Sequence, residues 1–573
     1  MQIPLQIRRY LTAIVLFTLV APALAQNPTA SIDFVPTRDG FRFKNYRNEA
    51  KRWTNDLLPD DLVRMFGPKT SCKSFAGGKC ATLSPAAEQW RQEILESMDT
   101  GHCEGIAVAC ERMRQSMPFK GKASANSFQS AARDAWSLQR DETLENYIAY
   151  YWTTQTFDEV KALTAKTAAA GPLSIARTIF GALKAKNDTY VIRFAKYDPK
   201  TNRISEPHAV FPFAVEERPD RFVISLYDNN WPGQTRFMTV SKNATERWEY
   251  SSKENATAKP DYIGDKSTKT LEITATSWRE GRCFASKWRT GVEKSGCSTT
   301  IAQNTAMSFI NAAFRPFDEV DTGETAEFFL TDEGDMLITD PNGDRIGFDA
   351  GENYFFDEID GAISSSLIGG FFEDVPHYTL PFIESDEFAY SVQFSGKYID
   401  EESDLDFVYA APYFTVGFSG IRLDPAETLR ADVSTDGEQI TFTASADGET
   451  PEVFFAFDAD ENDPNSYFAF IEGVELVAGK SLTFDFDFEQ GKLLLSDDDG
   501  DRDAYDIRIV RVKPDGTLQV FEQDDLSFGK ADRYEVDFRD WDGKGEMCFK
   551  DDGDGDGFSD EECVEEPNED DGN

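Results

Sequence analysis

The charge of this chain changes sign at one place, and that change divides what it can fold into. Residues 1–300 hold 42 Lys and Arg against 33 Asp and Glu, whereas residues 301–573 hold 16 against 70. The first part is thus at +9 and the second at −54, which predicts a domain boundary near residue 300. At 573 residues the chain is too long for one core; domains of about 100–200 residues predict three or four. A strongly acidic face repels nucleic acid and anionic lipid, so neither is expected as a partner. The second part is rich in Phe, Tyr, Val and Ile in strand-like runs, which argues against disorder except over roughly the last twenty residues.

The amino terminus reads as a secretory signal. Arg8 and Arg9 form the charged flank, Leu11 to Ala21 a short apolar run, and Ala23-Leu24-Ala25 the small-residue cleavage pattern. The mature chain is expected to begin at Gln26. The apolar run is short of the roughly 20 residues a spanning helix needs, and no later stretch qualifies, so no transmembrane anchor is expected. Secretion is expected, to the medium, a periplasm or the cell surface.

Eight cysteines in an exported chain predict disulfides. Nearest-neighbour pairing gives Cys72–Cys80, Cys283–Cys297 and Cys548–Cys563, leaving Cys103 and Cys110. On one helix those two would lie about 10 Å apart along the axis, beyond the roughly 7 Å that a disulfide spans. Cys110 reads as a small buried apolar residue.

Cys103 sits in Gly101-His102-Cys103-Glu104-Gly105, ahead of an apolar helical pattern of Ile106, Ala107, Cys110 and Met113. A helix start favours a thiolate, the nucleophilic form. Of the three histidines, His102 either supports the thiolate electrostatically or shapes the turn. His208 opens an apolar strand-like run to Val215. A second strand pattern, Arg221 to Tyr227, ends in Asp228-Asn229-Asn230-Trp231-Pro232-Gly233, rich in turn residues. If the two runs form a hairpin, Asp228 returns close to His208. Nucleophile, base and orienting residue make a complete set for thiol catalysis.

The order Cys, strand-borne His, then Asp or Asn resembles the papain-like cysteine peptidases. The strand beginning His208-Ala209-Val210 and the box Tyr227-Asp228-Asn229-Asn230-Trp231-Pro232-Gly233 are similar to bacteriocin-processing, double-glycine leader peptidases. The GHC-x-G and YD-x-N-x-PG boxes also resemble a group of bacterial secreted proteins with β-rich tails. The resemblance, over roughly residues 40 to 300, implies Cys103 as nucleophile, His208 as general base and Asp228 as orienting residue, with Asn229 as the fallback. It implies a two-lobe fold and a protein or peptide substrate. The chain departs from papain where a Gln usually supplies an oxyanion donor: Ser97 stands there, and Gln92 lies further upstream. The Cys103 N–H is the one donor expected.

The remaining pattern predicts an α+β chain. Helices are expected from Ser84 towards Met98, over 127–165 and over 173–185, with a strand from Tyr190 to Lys196. Tyr147, Ile148, Tyr151 and Trp152 form an apolar stripe at helical spacing, expected to pack on the sheet. The expected division is a signal peptide (1–25), a papain-like hydrolase domain (26–305), two β-sandwich-like modules (306–420 and 421–545) and an acidic tail (546–573). In the tail, Asp552, Asp554, Asp556 and Asp560 match the spacing of an oxygen-ligand calcium loop. It resembles a thrombospondin type 3 loop, which implies that Phe558 binds through its carbonyl and that calcium is structural. Cys563 stands where a bidentate acid is expected. Asp497, Asp498, Asp499, Asp501 and Asp503 read either as a second calcium site or as a charged turn.

Two functions stay open at this level. One is a secreted cysteine hydrolase, a peptidase or a transglutaminase-type acyl transferase, whose β-modules attach it to a cell-surface or extracellular polymer. The other is a calcium-dependent adhesion protein with an inactive papain-like domain.

Overall fold

Period-two burial organises most of the chain. The computed structural model describes residues 28–47, 57–279 except 256, and 325–564 apart from 370–375, 384–388, 412–413, 449, 459–463, 474, 488–490, 498–503, 527–532, 540, 542 and 552–559. The fold is α+β, with more strand than helix. The expected signal, the Cys283–Cys297 pair and calcium-loop residues Asp552, Asp554, Asp556 and Phe558 lie outside the described residues. Asp560 begins the strand Asp560–Val564.

Helices come first. Pro85–Ser97 starts after Ser84, with Pro at the first helical position, where its missing N–H costs nothing. The single helix expected over 127–165 is instead broken. The Asp141 side chain accepts the Leu144 N–H at 2.9 Å and starts a new helix, Glu142–Thr153. A further helix, Asp158–Ala170, follows a 3₁₀ turn. The aromatic stripe is buried as expected, but it faces another helix, Cys103–Arg114. Gly105 allows this approach: a Cβ there would lie 2.4 Å from the Ile148 carbonyl oxygen.

An antiparallel sheet follows, ordered Leu271–Ala275, Tyr190–Asp198, Arg203–Glu217, Arg221–Tyr227, Thr235–Ser241, Trp248–Tyr250, Tyr262–Gly264, with Thr29–Ser31 paired to Arg203–Glu217. The Cys103 helix packs on its Arg203–Glu217 strand.

Beyond residue 325, successive hairpins are laid alternately on a nine-stranded and an eleven-stranded sheet, and one apolar core fills the space between them. The expected boundary at 420/421 falls inside the strand Phe414–Leu423, and both sheets run through it. The acidic tail also begins later than expected. Met547–Asp551 and Asp560–Val564 form the edge of the eleven-stranded sheet and are joined by the disulfide Cys548–Cys563. Cys72–Cys80 is the second disulfide among the described residues, and both match the nearest-neighbour expectation.

The two halves of the chain share a core. In Thr325–Leu330, Ala326, Phe328 and Leu330 point between the sheets, and Phe329 points to the helices. Among the described residues no helix is long and apolar enough to cross a membrane.

Candidate functional site

Cys103 is the first residue of its helix, with His102 at the N-cap. Backbone N–H groups in the first turn lack intrahelical acceptors, and the helix dipole adds partial positive charge there. Cys103 and Cys110 are both buried and unbridged. Burial pushes the Cys110 thiol well up, so it stays protonated and inert. His102 is held neutral, lowered to about 4 by burial. It stacks on Tyr46 at 4.3 Å, and its Nδ1 lies 2.9 Å from the Tyr46 carbonyl oxygen. Of its two expected roles, this neutral ring fits the shaping of the turn.

The expected hairpin forms, with Phe211 opposite Tyr227. It returns Asp228 to His208: Nε2 to Oδ1 is 2.9 Å. Asp228 also accepts the Asn230 N–H at 2.8 Å and the Tyr250 hydroxyl. Burial disfavours the Asp228 anion, but the charge and hydrogen bond of His208, with Tyr250 and Asn230, hold its carboxyl below the usual range. Burial likewise disfavours the His208 cation, yet Asp228, and after it the Cys103 thiol, raise the imidazole to about 10. His208 Nδ1, the ring nitrogen not taken by Asp228, is buried and makes no hydrogen bond.

Asn229 does not take the orienting role. Its amide donates to the carbonyl oxygens of Cys103 (2.9 Å) and Ala209 (3.2 Å), tying the helix start to the His208 strand. Behind it Glu104 forms a fully buried ion pair with Arg279.

Sequence reasoning missed Asn45. Its Oδ1 accepts the backbone N–H of Tyr46 (2.9 Å) and of His102 (2.8 Å). Only oxygen can do this, so the amide orientation is determined and Nδ2 points the other way. Nδ2 donates at 2.7 Å to the Gly369 carbonyl oxygen, which also accepts the Cys103 N–H at 3.1 Å. Two donors thus converge on one carbonyl oxygen beside the thiol. No spacing rule could have found Asn45. Ser97 instead bonds back to the Glu93 carbonyl, and the Gln92 amide bonds Glu88.

Comparison of the chain with protein-family models, curated proteins and solved structures finds no match.

Among the described residues, Glu93, Glu96 and Asp406 are the carboxylates close enough to hold one ion, with ligand atoms within 4.8 Å of one another. Burial, then Asp406, raises Glu96 to about 8. A carboxyl raised in the folded state favours folding below its unfolded value, about 4.3, and that contribution is lost as pH rises through about 8. Glu96→Gln is therefore expected to leave Tm unchanged near pH 4 and to raise it above pH 8. Thermal scans giving the same shift at both pH values would rule this out.

Proposed function

We propose that this chain is a secreted cysteine hydrolase of papain-like type, acting on peptide bonds. The observation that carries the reading is the buried His208–Asp228 pair, 2.9 Å apart, with His208 on the strand against which the helix begun by Cys103 packs. Cys103 attacks the substrate carbonyl. The Cys103 N–H and the Asn45 amide receive the developing oxyanion, and His208 passes a proton to the leaving amine. Water then hydrolyses the thioester, with His208 as base. Asp228 holds the ring so that Nε2 is occupied and Nδ1 remains for the chemistry. The β-region is the candidate attachment surface for a polymer or cell wall, and the loop at Asp552–Asp560 a candidate structural calcium site. Transfer of the acyl group to an amine uses the same residues and would be recognised by its products.

Cys103→Ala and His208→Ala are each expected to abolish peptide turnover without unfolding the protein. The wild-type rate is expected to fall as pH rises through about 10, where His208 loses its proton. Full activity in either variant would refute the assignment. The adhesion reading is favoured by one observation, the complete burial of Cys103; it predicts binding that survives both substitutions and is lost on chelation.

A further inference from the structure

The cover over Cys103 is the chain's own backbone. The segment Ser366–Gly369 leaves the strand Ile363–Ser366 of the nine-stranded sheet and runs past Cys103. It is held through main-chain atoms. The Arg193 guanidinium donates to the Ser366 carbonyl oxygen at 2.6 Å, and the Ile368 N–H donates to Gln155 Oε1 at 2.8 Å. The Cys103 thiol lies 3.8 Å from the Ile368 carbonyl oxygen. The next carbonyl oxygen, that of Gly369, is the one taken by both candidate oxyanion donors. Leu367 and Ile368 are buried in the helical core. Position 369 must be glycine, because a Cβ there would lie 2.1 Å from the Thr100 carbonyl carbon.

Main-chain recognition, two apolar anchors and a carbonyl on the oxyanion donors are what a bound acyl segment needs. We infer that Ser366–Gly369 is this protein's own substrate, and that Cys103 cleaves the chain after Gly369. The inference rests on the hydrolase reading above. The Cys103 thiolate adds to the Gly369 carbonyl carbon. The bond to the nitrogen of the following residue breaks, and His208 protonates that amine. Water then cleaves the thioester, giving a Gly369 carboxylate and the free thiol. The same contacts select other substrates, peptides with two apolar residues followed by glycine.

The cut would not separate the halves. Thr325–Leu330, before it, pairs with Pro376–Pro381 and Ser403–Ala411, after it. Asp335–Thr339 likewise pairs with Ala389–Ser395. The products should co-elute in native chromatography and separate only on denaturation.

The test is intact mass under denaturing conditions after incubating the full mature chain at neutral pH. Two fragments, the first ending at Gly369, are expected for the wild type, and one uncut chain for Cys103→Ala. Gly369→Ala is expected to stay whole and, with its cleft opened, to hydrolyse an added Leu-Ile-Gly-aminocoumarin probe faster than the uncut wild type. A wild-type chain that stays whole, or a Cys103→Ala chain cut at the same bond, overturns self-cleavage. Probe turnover by Gly369→Ala that depends on Cys103 would then still uphold the hydrolase reading, and its absence would end both. If Gly369→Ala fails to fold by circular dichroism, wild type against Cys103→Ala decides.

Discussion

Asn45→Ala is expected to lower kcat/KM for Cys103-dependent peptide cleavage by roughly 10²- to 10³-fold, the usual effect of removing one oxyanion donor. The loss should fall mainly on kcat, because the donor matters most when charge develops on the carbonyl oxygen. Asn45 is 6% exposed and held on three sides: its own N–H bonds the Asn229 carbonyl, and its Oδ1 bonds the Tyr46 and His102 N–H groups. The donor therefore needs little reorganisation in the transition state. Measuring kcat and KM separately in the Gly369→Ala background, where the cleft is expected to be open, checks the prediction. A change confined to KM would remove Asn45 from the oxyanion role and leave it as a binding contact.

Glu327→Ala is expected to destabilise the whole protein by about 3–5 kcal/mol, the cost of breaking a buried ion pair from one side. Glu327 sits where the two halves of the chain meet. It accepts Lys161 Nζ at 2.5 Å and the Trp90 indole N–H at 3.0 Å, and His377 Nε2 is 3.6 Å away. Lys161 is fully buried and Glu327 nearly so. Removing the carboxylate strips Lys161 of its counter-ion in a medium that solvates charge poorly. Replacing both partners by apolar residues, as in Lys161→Met with Glu327→Leu, should recover most of the loss. Urea denaturation followed by far-ultraviolet circular dichroism and by tryptophan fluorescence would report both values. A single-variant cost below about 1 kcal/mol, in the range of a surface pair, would sink the idea that this pair holds the halves together.

The hairpin returning Asp228 to His208 was legible because its signals are local: an apolar run, a turn, a second run and a cluster of turn residues. Cys103 at a helix start was legible for the same reason, as was the pairing of Cys72 with Cys80 and of Cys548 with Cys563. The break in the helix expected over 127–165 was also written locally, in the cap at Asp141, but the apolar period across it masked the signal. The boundary at residue 421 failed for a different reason. Hairpins that alternate between two sheets carry the same local pattern as separate sandwiches, and only pairing between distant strands distinguishes them.

By itself, then, the order of residues determined the α+β character, the charge division, the two disulfides described, the place of Cys103 at a helix start and the return of Asp228 to His208. It did so because each rests on contacts within one element or between neighbouring ones. Tertiary structure alone decided that Asn45 lies beside Cys103, that Asn229 ties the helix to the strand, and that the two halves share a core. It also decided what lies over the thiol. Asn45 and Gly369 meet across 324 residues of chain. No propensity or spacing encodes a contact of that range, which exists only once both cores are packed.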